Sequence, residues 1–63
     1  MLNSNAIMYM TYDEIAKELA ARPDRNDDYV QESVCRRYGV DLDSLPEDDC
    51  RLIKRLIRKH ARG

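Results

Sequence analysis

The chain has no tryptophan, no phenylalanine and a single histidine, with only two residues each of glycine, proline and cysteine. Each scarcity excludes something. Without Trp or Phe, the core must be built from Leu, Ile, Val, Ala and four tyrosines. Two cysteines are too few for a disulfide scaffold, and with one His they fall short of the four ligands of a structural zinc site. Cys35 and Cys50 therefore read as free thiols packed as small hydrophobes. The less favoured alternative is a disulfide linking two helices, which depends on geometry the sequence does not give. No glycine-rich loop is present for phosphate, and one histidine without a partner fixed by sequence is not a catalytic constellation. No apolar run approaches the ~20 residues of a membrane-crossing helix. Residues 1–10 lack the basic and apolar regions of a signal peptide. The expectation is a cytoplasmic, non-enzymatic chain without cofactor, metal or membrane.

What is present is charge. Asp, Glu, Lys and Arg make up 37% of 63 residues, yet the net charge is −1. The charge is segregated: residues 1–29 sum to −3, residues 30–50 to −4 and residues 51–63 to +6. A chain this short buries only about 60% of the surface its unfolded form exposes. A core of that size rarely supplies more than about 3–5 kcal/mol, so a homodimer or a partner is a natural source of further stability.

The apolar spacing predicts one all-α domain, a small three-helix unit with helices at about 12–22, 27–38 and 46–61. Thr11-Tyr12-Asp13-Glu14 has the form of a capping box, with Met10 and Ile15 placed to form a hydrophobic staple. Residues 1–9 carry no periodicity and are expected to be frayed or extended. Tyr12, Ile15, Ala16, Leu19 and Ala20 share one helical face, and Pro23 ends the helix near Arg22. Asn26 or Asp27 can cap the second helix, whose inner stripe is Val30, Val34 and Tyr38 with Cys35 beside it. Gly39 is the expected left-handed stop. In the connector, Val40 and Leu42 alternate with Asp41 and Asp43. Ser44 and Glu47 have capping-box spacing, although Pro46 offers an alternative start. On the third helix Cys50, Leu52, Ile53, Leu56, Ile57 and His60 fall on one side.

Two surfaces are candidates for a partner. Arg51, Lys54, Arg55, Arg58 and Arg62 recur at i, i+3, i+4, i+7 and i+11, a cationic face on the outside of the third helix. It suits nucleic-acid phosphates, or serves only as a solvated outer face whose stems cover the core and whose charges complement the acidic body. The second surface is acidic: Asp13, Glu14, Glu18, Asp24, Asp27, Asp28, Glu32, Asp41 and Asp43. Such carboxylates either imitate a row of phosphates or cap helices and confer solubility. A calcium site is excluded by the lack of EF-hand order and its glycine. A helix-turn-helix regulator is the alternative function. Against it stand a long, proline-containing turn and aspartates at the start of the would-be recognition helix, and a net charge unlike that of a DNA reader.

The stretch Tyr9-Met10-Thr11-Tyr12-Asp13-Glu14-Ile15-Ala16 resembles the opening of small phage anti-CRISPR proteins that act on type I-E systems. Val40-Asp41-Leu42-Asp43-Ser44-Leu45-Pro46-Glu47-Asp48-Asp49, with Leu52-Ile53, is similar to a later acidic stretch in such proteins. Together these cover under half the chain, and no functional residue transfers by matching. The resemblance implies a stoichiometric inhibitor in the host cytoplasm that binds a CRISPR surveillance complex or its recruited nuclease. The basic segment 51–62 departs from the acidic character of those proteins. That departure weakens a pure DNA-mimic mechanism and leaves a mixed-charge protein interface equally open.

Overall fold

A computed structural model describes residues 4–63, and it is all-α. α1 spans Ser4–Ala20, α2 Asp28–Arg37 and α3 Glu47–Ala61, with a 3-10 turn at Leu42–Ser44 between the last two. No strand occurs among the described residues. α3 packs along α1; α2 packs against α1 and the 3-10 turn, while α2 and α3 scarcely approach each other.

The first helix corrects the sequence reading at both ends. Its backbone is helical from Ser4, not from Thr11. Thr11 is therefore an interior residue of α1 and not its N-cap. The expected staple is also missing: Ile15 is fully buried, but Met10 is 65% exposed. Of the segment expected to be frayed or extended, residues 4–9 are helical and residues 1–3 lie outside the described residues. The helix closes at Ala20, two residues earlier than Pro23 suggested. There the amide of Arg22 turns back onto the carbonyl of Leu19 at 2.9 Å.

α2 behaves as its sequence dictates. Asp27 is the N-cap, its carboxylate accepting from the amides of Tyr29 and Val30, two donors that a helix start leaves unpaired. At the other end Gly39 adopts φ +76°, a left-handed geometry that costs a glycine little. The amide of Val40 reaches the carbonyl of Cys35 at 2.9 Å, and that of Gly39 reaches Arg36 at 3.0 Å. This pair of bonds is a Schellman motif, and it turns Val40 back onto the core.

The connector is more ordered than alternation alone implied. Asp41 caps the 3-10 turn by accepting from the amide of Asp43 and from Ser44 Oγ at 2.8 Å. Ser44 is thereby committed to Asp41 and forms no capping box with Glu47. α3 starts after Pro46, its N-cap, which makes no side-chain cap bond. Glu47, Asp48 and Asp49 open α3, and Arg58, Lys59 and His60 close it, in accord with the helix dipole.

The core unites Tyr12, Ile15, Ala16 and Leu19 of α1, Val34 and Cys35 of α2, and Ile53, Leu56 and Ile57 of α3. Ala20, Val30, Val40, Leu42, Leu45 and Leu52 pack around it, half-buried. Two expectations need correcting. Tyr38 is 38% exposed and does not join the inner stripe; its hydroxyl donates to Glu18 at 3.0 Å. Gln31 is 93% buried in its place, the one buried polar residue described. Burying an amide is costly without partners, and Gln31 Nε2 donates to the carbonyl of Arg25 at 2.8 Å.

Two side-chain pairs fasten α1 to α3. The buried hydroxyl of Tyr12 donates to Asp49 Oδ2 at 2.8 Å. Burial and the neighbouring Asp49 carboxylate push the Tyr12 hydroxyl up to about 12. At the opposite end of α3, His60 Nε2 donates to Asp13 Oδ1 at 2.6 Å. That bond, more than the field of nearby Lys17 and Lys59, holds the Asp13 carboxyl below the usual carboxylate range. His60, for which the sequence fixes no partner, thus has a defined one 47 positions away.

Candidate functional site: a cationic helix face beside a groove

The two charged surfaces predicted from sequence fare differently once their partners are known. Most of the acidic residues are engaged within the fold. Asp13 holds His60, Glu14 lies 3.8 Å from Lys17, and Asp24 accepts two bonds from Arg22. Asp27 caps α2, Glu32 pairs with Arg36 at 2.7 Å, and Asp41 caps the 3-10 turn. Glu18 pairs with Arg37 and also accepts from Tyr38. Among the nine acidic positions, only Asp28 and Asp43 are left without a side-chain bond. The acidic surface is largely accounted for by capping and local pairing.

The cationic face is not. All five predicted residues, Arg51, Lys54, Arg55, Arg58 and Arg62, are exposed. Arg51 pairs with Glu47 one turn earlier at 2.7 Å. The side chains of Lys54, Arg55, Arg58 and Arg62 make no hydrogen bond or ion pair among the described residues. The cause is local: α3 carries its carboxylates in the first turn, so only Arg51 has one within an i,i+4 step. The apolar stripe that seats α3 on α1 leaves the opposite side to these cations.

Lys54, Arg58 and Arg62 recur every four residues, so they form a line with a rise of about 6 Å per step. This line borders a groove between α2 and α3, of about 570 Å³. Arg25 stands on the far side and Asp28 is the one carboxylate in the lining; Ile57 and Ala61 supply its apolar floor. Arg25 was not apparent as a site residue from sequence, where it reads as part of a turn. Its position follows from two contacts: Gln31 holds its carbonyl, and its own guanidinium donates to the carbonyl of Arg22 at 3.2 Å. A polar residue on the inner stripe of α2 was the available signal, because a buried Gln31 has to bond something across the turn. A smaller cleft of about 250 Å³ shares Asp28, Gln31 and Lys54 with the groove and adds Glu32 and Asp43. The lining thus passes from basic to acidic.

The remaining chemistry is sparse. Both cysteines are free, Cys35 buried and Cys50 half-buried. Burial pushes the Cys35 thiol up, the opposite of what a nucleophile requires. Cys50 Sγ lies 3.9 Å from the carbonyl oxygens of Leu42 and Leu45. No cluster of three or more His, Cys, Asp or Glu side chains suited to a metal occurs among the described residues. Among the same residues, no helix is long and apolar enough to cross a membrane. The connection from α1 to α2 runs over residues 21–27, and α2 opens on Asp27 and Asp28. That differs from the short turn and phosphate-accepting helix of a helix-turn-helix motif. No family model, curated protein or solved structure matches this chain.

Proposed function

We propose that the protein is a non-enzymatic binding domain that inhibits a host machine by docking the outer face of α3 on an acidic surface. The machine favoured by the sequence resemblance is a type I CRISPR surveillance complex. One observation carries the reading: the carboxylates of the domain are mostly spent on its own caps and pairs, while Lys54, Arg55, Arg58 and Arg62 are exposed and unbonded. Four free cations on about three turns of helix create a local positive field that the net charge of −1 conceals. Such a field speeds encounter with an acidic partner and selects against basic ones. The small core supports the same reading, since a domain with about 3–5 kcal/mol of core stability has little to spend on a strained catalytic pocket.

The experiment is to mix the protein with a purified type I effector complex and pass the mixture over a sizing column. Co-elution at a fixed ratio, with protection of phage in a plaque assay against a CRISPR-immune host, is the expected outcome. No co-elution together with no protection rejects the inhibitor reading.

A further inference from the structure

We infer that the groove between α2 and α3 holds the phosphodiester backbone of a single-stranded nucleic acid. The inference rests on the reading that the α3 cations form the contact surface, but it does not require a CRISPR complex as the partner.

The arrangement of charge leads to this ligand. Lys54, Arg58 and Arg62 line one wall over about 12 Å, with Arg25 opposite and Asp28 as the one opposing carboxylate. The net excess is three cations along a line, more than a single small anion can use. A polymer with a charge on every unit can use them all. Three of the four are arginines, whose planar fork suits phosphate oxygens. Arg25 is already fixed by Gln31 and by the carbonyl of Arg22, so part of the ordering cost falls on folding rather than on binding.

The lining also discriminates between classes of partner. A peptide interface needs an apolar centre with aromatic or aliphatic anchors. Apart from Ile57 and Ala61, this lining is polar or charged. Phosphate binding needs no such centre, because its energy comes largely from release of counterions. No aromatic side chain borders the groove to stack on a base, so the backbone is held and the bases stay outside. A double helix is too broad to enter a groove of about 570 Å³ and can lie only across its rims. The acidic cleft formed by Asp28, Glu32 and Asp43 bounds the basic stretch and limits the footprint to about three phosphates.

The test is fluorescence anisotropy with labelled oligothymidylate and oligoadenylate, titrated with the full chain at several salt concentrations. With three phosphates neutralised on a single strand, log K falls with log salt at a slope of about −2, a loss of about twentyfold between 50 and 200 mM. The two oligonucleotides bind alike. The variant K54Q/R58Q lowers the slope to about −0.7, leaving only a two- to threefold salt effect. K17Q, on α1 and paired with Glu14 away from the groove, binds as the parent does. Helical circular dichroism of each variant confirms that it is folded, which is expected because Lys54 and Arg58 make no bonds within the fold. The inference is overturned by any of four results: no binding at the lowest salt, parental affinity in K54Q/R58Q, tighter binding of a duplex of the same sequence, or equal affinity for an oligoglutamate peptide. Displacement of the strand by millimolar inorganic phosphate as readily as by unlabelled strand also overturns it, by reducing the site to one anion. Failure of co-elution with the effector complex is a separate result and leaves this titration unaffected.

Discussion

Tyr12→Phe removes one oxygen atom from the core and tests how α3 is registered on α1. The hydroxyl is buried and donates to a carboxylate at 2.8 Å. A hydrogen bond to a charged group contributes about 1.5–3 kcal/mol. Asp49 is only half-buried, so water partly replaces the lost donor, and the expected cost falls at or just below the bottom of that range, about 1–1.5 kcal/mol. Against a core worth about 3–5 kcal/mol, that is roughly a third of the total. For a domain of this size it lowers Tm by about 5–10 °C. Urea unfolding followed by circular dichroism measures the loss, with an unchanged m-value showing that only stability has changed. Absorbance titration of the parent should show one tyrosine ionising only near pH 12, absent in the variant. Equal stability of Tyr12→Phe and the parent would refute the claim that this bond fixes the helix pair.

Other outcomes follow from single contacts. His60→Ala abolishes the bond that lowers the Asp13 carboxyl. A lowered folded-state value contributes stability that is complete above the ordinary carboxylate value of 3.8 and disappears as pH falls through the lower value. As pH falls from the ordinary carboxylate value of 3.8 through the lowered one, the parent should therefore lose more stability than His60→Ala, and parallel curves would contradict the pairing. Gly39→Ala places a Cβ at φ +76° in open space, so the cost is backbone strain alone, about 1 kcal/mol; Gly39→Asn should cost less in the same urea titration. A thiol reagent should modify Cys50 before Cys35 in the native protein, because Cys35 is fully buried. The order is read by mass spectrometry of partly labelled protein, and faster labelling of Cys35 would contradict its burial.

The sequence was most readable where local chemistry decides the structure. Asp27 and Gly39 sit at the ends of α2 because a carboxylate caps free amides and a glycine tolerates a left-handed turn. Ile53, Leu56 and Ile57 announce the buried side of α3 by spacing alone, and its cationic side follows by subtraction. The start of α1 was misread because Thr11-Tyr12-Asp13-Glu14 has helix-start grammar that an interior turn also accommodates, and residues 4–9 carry no polar–apolar rhythm to reveal a helix. The Ser44 capping box failed for a similar reason: Asp41 competes for the same hydroxyl and closes a 3-10 turn with it. Contacts between distant positions lay beyond local reading. His60 with Asp13 and Tyr12 with Asp49 are separated by 47 and 37 positions. The groove depends on α2 and α3 each packing on α1 while scarcely approaching each other. Its cations Lys54, Arg58 and Arg62 were on the predicted face, whereas Arg25 joined them only through the turn that Gln31 holds.

The central claim is that the free cationic surface, not the acidic one, makes the functional contact. The most direct test is co-elution with the effector complex of two charge-neutralised variants, K54Q/R55Q/R58Q/R62Q and D28N/E32Q/D43N, each confirmed to be folded. The account predicts that the first is lost from the complex peak while the second travels with it like the parent. Retention of the first and loss of the second would contradict it.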